Sequence, residues 1–142
     1  MIRACSHLVI ATDNVPRMTK FFAKVFATEA HFRNKLFAEF ILPSKFRVAF
    51  FKPVGPAAKY FESTPNRGGV SFGVTVDNVD AVFEMAGSMK GDEVQVSGPP
   101  KDHPWGEKSF LLIDPDGNRW EITNSPSADG MLVSKDFGRP KK

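Results

Sequence analysis

The chain has 142 residues, 42% hydrophobic and 25% charged, which is ordinary for a globular protein and long enough to bury a substantial core. Its net charge of +3 and pI near 9.1 do not indicate a nucleic-acid partner. Residues from Ser125 onward carry +2, the preceding 124 carry only +1, and no Lys/Arg stripe is interleaved with aromatics.

Residues 3–12 read as a strand with Leu8 and Ile10 on one face. Asp13 and Asn14 then offer side-chain oxygens to cap a helix, with Pro16 in its first turn. Val15, Met18, Phe21, Phe22, Val25 and Phe26 recur at helical spacing and form its core stripe. Three strand-like segments follow near 29–33, 36–42 and 46–53, with Pro43-Ser44-Lys45 as the turn between the last two. Residues 54–67 read as a linker rich in Gly, Pro and polar residues. The plan then repeats: a strand at 69–76, a helix at 78–90, and strands near 93–97, 108–113 and 118–123. Asp114-Pro115-Asp116-Gly117 is a turn in which Pro fixes φ and Gly accepts φ > 0. The tail from 125 to 142 has no periodicity.

A shift of 64 residues lays His7-Leu8-Val9-Ile10 over Ser71-Phe72-Gly73-Val74, and Asp13-Asn14-Val15 over Asp77-Asn78-Val79. Such a repeat divides the chain into two βαβββ modules, about 3–53 and 68–124, within one domain spanning 1–142. The single Cys5 excludes an intramolecular disulfide and suits a reducing compartment. No apolar run approaches the roughly 18 residues of a membrane span. The first residues lack the apolar core of a secretory signal, so the cytoplasm is the expected location.

Strand alternation gives each module two unlike faces. Cys5, His7, Val9 and Ala11 oppose Leu8 and Ile10, and Gly69, Ser71, Gly73 and Thr75 oppose Phe72, Val74 and Val76. Arg119, Glu121 and Thr123 oppose Trp120 and Ile122, while Val48, Phe50 and Lys52 are expected to oppose Ala49 and Phe51 and to share His7's side. A face of Gly, Ser and Thr packs poorly against another element, so it is expected to line a hollow rather than simply face solvent.

Together, the His7 strand, the Asp13-Asn14 and Asp77-Asn78 helix openings, Pro104-Trp105-Gly106 and Asp114-Pro115-Asp116-Gly117-Asn118 leading to Glu121 resemble the vicinal oxygen chelate superfamily. That superfamily includes glyoxalase I, bleomycin-resistance proteins, extradiol dioxygenases and fosfomycin-resistance proteins. The resemblance covers roughly residues 4–124 and implies an α+β fold. Two tandem βαβββ modules would form a cup-shaped curved mixed sheet with helices on its convex side, often in a homodimer.

Metal-dependent members take ligands from the first and last strands of each module; by position these places fall on His7, Phe50, Ser71 and Glu121. Only His7 and Glu121 are competent ligands, and a Zn, Ni or Fe site wants at least three donors. His103 and Glu107, flanking Trp105, are the remaining candidates. No tightly bound cofactor is therefore expected, with a divalent metal as the alternative.

His7 and Glu121 read either as a hydrogen-bonded pair or as an acid–base couple. Phe50 and Trp105 are candidate planar walls for a flat conjugated ligand, Arg119 a candidate partner for an anionic group, and Ser71 and Gly73 small lining positions. These features favour a glyoxalase/bleomycin-resistance-like protein that binds a small, partly aromatic molecule as a homodimer, without nucleic acid or membrane. The alternative is a metal-dependent lyase or isomerase resembling lactoylglutathione lyase, in which a metal stabilises an enediolate and a glutamate moves the proton. Less favoured is an extradiol-type dioxygenase, for which Ser71 replaces a needed His.

Overall fold

Both helices begin on an asparagine. Asn14 accepts a 3.1 Å hydrogen bond on Oδ1 from the Arg17 amide and opens α1 (Val15–Val25). Asn78 accepts a 3.0 Å bond from the Ala81 amide and opens α2 (Val79–Ser88). Each side chain satisfies an amide that the first helical turn leaves without a carbonyl partner. In the computed structural model, residues 1–61, 69–104 and 106–124 are described. The chain divides into two units, Met1–Arg67 with Pro115–Gly117, and Gly68–Asp114 with Asn118–Lys142.

The first unit holds β1 (His7–Ala11), α1, β2 (Phe32–Arg33), β3 (Phe37–Ile41) and β4 (Arg47–Phe51). Its sheet has the order β1-β4-β3-β2, with β1 parallel to β4 and the other pairs antiparallel. The buried stripe of α1 (Val15, Met18, Phe21, Phe22 and Val25) is the one read from helical spacing. Phe22 packs on Phe40 at 4.6 Å and on Phe50 at 5.9 Å between ring centroids, and all three rings are buried. The 43–45 turn closes through Leu42 and Phe46, with Lys45 at φ 74°. Arg17 on α1 donates to Asp116 at 2.6 Å.

The second unit holds β5 (Ser71–Thr75), α2, β6 (Gln95–Val96), β7 (Lys101–Asp102), β8 (Lys108–Ile113) and β9 (Arg119–Thr123). Its order is β5-β9-β8-β6, with β7 also on β8, and β5 is again parallel to the last strand. The equivalence extends beyond the ladders: the Thr12 amide donates to Phe51 O at 2.9 Å, and the Val76 amide to Thr123 O at 2.8 Å. The chain is thus mixed α+β with two mixed sheets of one plan and a helix in each unit.

Several boundaries differ from the sequence reading. β1 starts at His7, so Cys5 lies outside the strand and is exposed. The second helix ends at Ser88, and a 3₁₀ turn covers Lys90–Asp92. Pro56–Tyr60 in the expected linker forms a 3₁₀ helix, and β7 was not anticipated. The rest of that linker, 62–67, and the tail from 125 lie outside the described residues. Among the described residues no helix is long and apolar enough to cross a membrane.

Candidate functional site

Ladder register decides which side chains share a face. In the first unit His7 stands beside Arg47, Val9 beside Ala49, and Ala11 beside Phe51. Across β4, Arg47 pairs with Ile41, Ala49 with Glu39 and Phe51 with Phe37. The face turned away from α1 therefore carries His7, Val9, Arg47, Glu39, Ile41, Phe37 and Phe51. Phe50 pairs with Ile10 and Ala38, all three fully buried on the helix side.

Phe50 is thus not on His7's side, and the expectation that it walls a ligand is corrected. Its ring is 0% exposed and packed on Phe22 and Phe40. The place on the open face falls one residue earlier, on Ala49. Val9 and Ala49 occupy in the first sheet the ladder positions that Gly73 and Glu121 occupy in the second. The quartet is accordingly His7, Ala49, Ser71 and Glu121.

Aromatic surface on the open face comes instead from residues the sequence reading missed. Phe51 meets Phe61 edge-on at 5.1 Å, and Phe37 meets Phe32 at 6.0 Å. A His–carboxylate pair was also missed: His31 Nε2 lies 2.7 Å from Glu39 Oε1, with the carboxylate largely buried. Its only sequence signal was the polar Glu39 alternating with Phe37 and Ile41 along β3. His7 is exposed, and its Nδ1 shares a 2.7 Å hydrogen bond with Ser6 Oγ.

In the second unit the expected face is assembled as read. Ser71 stands beside Arg119, Gly73 beside Glu121 and Thr75 beside Thr123, with Ile113, Leu111 and Ser109 in the next row. Phe72 and Trp120 take the opposite side, 5.1 Å apart. Glu121 is exposed and Arg119 half-buried. A Cβ built on Gly73 meets nothing within 4 Å, so open space stands over the middle of this face. Among the described residues Thr123 Oγ1 is buried without a hydrogen-bond partner.

His103 Nε2 hydrogen-bonds Ser109 Oγ at 2.7 Å, and the His103 amide donates to Glu107 O. Trp105 lies outside the described residues. At the start of β8, Lys108 Nζ donates to Asp80 at 2.8 Å; that bond raises the Lys108 pKa above its ordinary value, with desolvation acting against it.

The donor set does not fit a superfamily metal. The four positions offer one imidazole and one carboxylate, since Ala49 and a neutral Ser71 supply no strong ligand, and a stable site wants three or more. Among the described residues no group of three or more His, Cys, Asp or Glu is placed to hold an ion.

Comparison with known proteins gives these faces a family. The sequence model of the glyoxalase/bleomycin resistance protein/dioxygenase superfamily matches residues 4–122. A glyoxalase-related enzyme from Fulvimarina pelagi superposes with a TM-score of 0.69 at 19% identity, over 86% of this chain and 88% of its own. A glyoxalase/bleomycin resistance protein from Albidiferax ferrireducens T118 gives 0.68 at 15%, over 86% and 98%. A fosfomycin resistance protein from Mesorhizobium loti gives 0.62 at 19%, over 91% and 98%. No curated protein matches the chain. At these identities the solved structures speak for the fold alone. The family match across most of the sequence does more, and the chain belongs to the glyoxalase/bleomycin resistance protein/dioxygenase superfamily.

Proposed function

We propose that this chain is a binding-type member of the superfamily that takes up a small, partly aromatic or conjugated molecule on the open faces of its sheets, without a tightly bound catalytic metal. The observation that carries this is the pairing of Ala49 with Val9 where the second sheet pairs Glu121 with Gly73. The first module keeps a methyl group in the place of a donor.

Phe51, Phe37 and Phe61 provide apolar rings on the first face. The bare surface over Gly73 leaves room for a flat group. Glu121 and Arg119 are the polar groups the second face offers a ligand, with Ser71 a small neighbour of Arg119, and His7 is a polar group of the first face. Two of the similar structures carry bleomycin resistance and fosfomycin resistance in their names, which agrees with a small-molecule ligand. The protein acts as a cytoplasmic homodimer in this proposal. Val9 and Ile41, each nearly half exposed on the first face, are apolar surface that a second copy would cover. A metal-dependent lyase would need a second carboxylate where Ala49 stands.

The test joins elemental analysis to a thermal-shift screen of flat aromatic compounds, followed by titration of the best compound. We expect less than a tenth of a transition metal per chain and a dissociation constant raised at least tenfold by Phe51→Ala. About one metal per chain, or an affinity indifferent to both Phe51→Ala and Glu121→Gln, would overturn the proposal.

A further inference from the structure

A concave feature lies on the helix side of the first sheet, where α1 packs. Lys20 and Lys24 point outward from successive turns of α1, and Arg33 and Lys35 come to the same groove from the end of β2 and the turn after it. The groove has a volume of about 500 Å³, inside the ~300–1,000 Å³ range of small-ligand sites. Its lining includes four cationic side chains and no carboxylate.

The cations are held by ordered backbone. Asn34 Oδ1 accepts from the Leu36 and Phe37 amides at 2.8 and 2.9 Å, and the Asn34 amide donates to Phe37 O at 2.8 Å. Three hydrogen bonds thus fix the turn between Arg33 and Phe37. Arg33 pairs in register with Ala38, which is buried on the helix side, so the arginine belongs to that side as well. Among the described residues Lys24, Arg33 and Lys35 make no ion pair.

The charge is also regional. Residues 1–67 hold eleven Lys/Arg against four Asp/Glu, a net of +7, whereas residues 68–142 hold eight against twelve, a net of −4. At physiological ionic strength screening acts over roughly 8 Å, so cations around one groove reinforce each other while scattered ones do not.

We propose that this groove binds a small ligand carrying two or more adjacent phosphate groups, at a site separate from the open-face site. Adjacent phosphates concentrate negative charge on the scale of the groove. The Arg33 guanidinium can meet phosphate oxygens bidentately, while Lys24 and Lys35 act as point charges. A single-stranded nucleic acid is a poorer fit, because no aromatic side chain lines the groove to stack a base.

The experiment uses inorganic tripolyphosphate as the probe, titrated into the full chain at 0.15 M salt by calorimetry, with amide shifts followed by NMR. We expect one saturable site, with shifts concentrated at residues 19–24 and 33–35. Lys24→Gln with Arg33→Gln should weaken binding at least tenfold, and Lys45→Gln with Lys59→Gln less than twofold. All four positions are exposed, so the variants should fold, and circular dichroism checks this. No saturable binding up to millimolar probe, or equal losses from the two double variants, would overturn the proposal. Tighter uptake of a short oligonucleotide or an anionic vesicle through the same residues would overturn it too, since the groove would then belong to a macromolecular surface.

Discussion

The carboxylate of Asp114 accepts a 2.8 Å hydrogen bond from the Trp120 indole, six residues away across the β8–β9 turn. The same buried side chain accepts from the Asn118 amide and from Asn118 Nδ2, each at 2.9 Å. One acid thus closes the Asp-Pro-Asp-Gly-Asn turn and fixes the ring that backs Phe72 beneath the Glu121 face. Asp114→Ala leaves three buried donors without their acceptor and should cost about 3 kcal/mol. Urea denaturation gives the stability, and near-ultraviolet dichroism reports whether Trp120 keeps a fixed environment. A loss under 1 kcal/mol would show that the turn holds without the acid.

Phe50→Ala should act on stability. Removing a buried ring from the Phe22–Phe40 cluster costs about 3–5 kcal/mol. Midpoint and slope of chemical unfolding give the number. A variant as stable as the parent, with weaker ligand binding, would return Phe50 to the ligand side.

Gly73 has ordinary backbone angles and open space where a Cβ would stand. Gly73→Ala should therefore be neutral or stabilise by about 0.4–1 kcal/mol, through a less flexible unfolded chain. Gly73→Leu should keep the fold and block the face, lowering affinity for any ligand found in the screen. Unaltered affinity in the leucine variant would place the ligand elsewhere.

Asn14→Ala and Asn78→Ala should each cost about 1 kcal/mol, since each removes one capping acceptor of the same geometry. Thermal unfolding of the two single variants and the double variant checks this. A cost at only one of the two sites would break the equivalence of the modules.

Lys108 is held charged chiefly by its hydrogen bond to Asp80, so its pKa is higher folded than unfolded. The sign follows from linkage: the small stabilisation is complete below the ordinary lysine range and is lost as pH rises through the folded value. Asp80→Asn should lower the Lys108 titration midpoint and flatten that alkaline decline. NMR titration of the ε-ammonium measures it, and an unmoved midpoint would mean that the contact is not formed in solution.

Repetition made the architecture legible. Two Asx-capped helices, two alternating first strands and the Asp-Pro-Asp-Gly turn each follow from local chemistry, and the structure holds them where the sequence places them. Arg119-Trp120-Glu121-Ile122-Thr123 alternates cleanly, so its faces could be assigned without coordinates. Arg47-Val48-Ala49-Phe50-Phe51 does not alternate, because both of its faces are apolar. Nor could the repeat supply the phase: His7 and Ser71 are 64 residues apart, but their ladder partners Arg47 and Arg119 are 72 apart. A slip of one residue reverses every side chain in a strand.

By itself, then, the sequence determined the order of elements, the equivalence of the two modules and the polar face around Ser71 and Glu121, since these depend on caps, turns and alternation within a few residues. The tertiary structure decided that Ala49 and not Phe50 shares a face with Val9. It also brought His31 to Glu39 and gathered Lys20, Lys24, Arg33 and Lys35 around one groove. Each of those depends on hydrogen-bond register or helix packing between separate elements, which the pattern within one element does not encode.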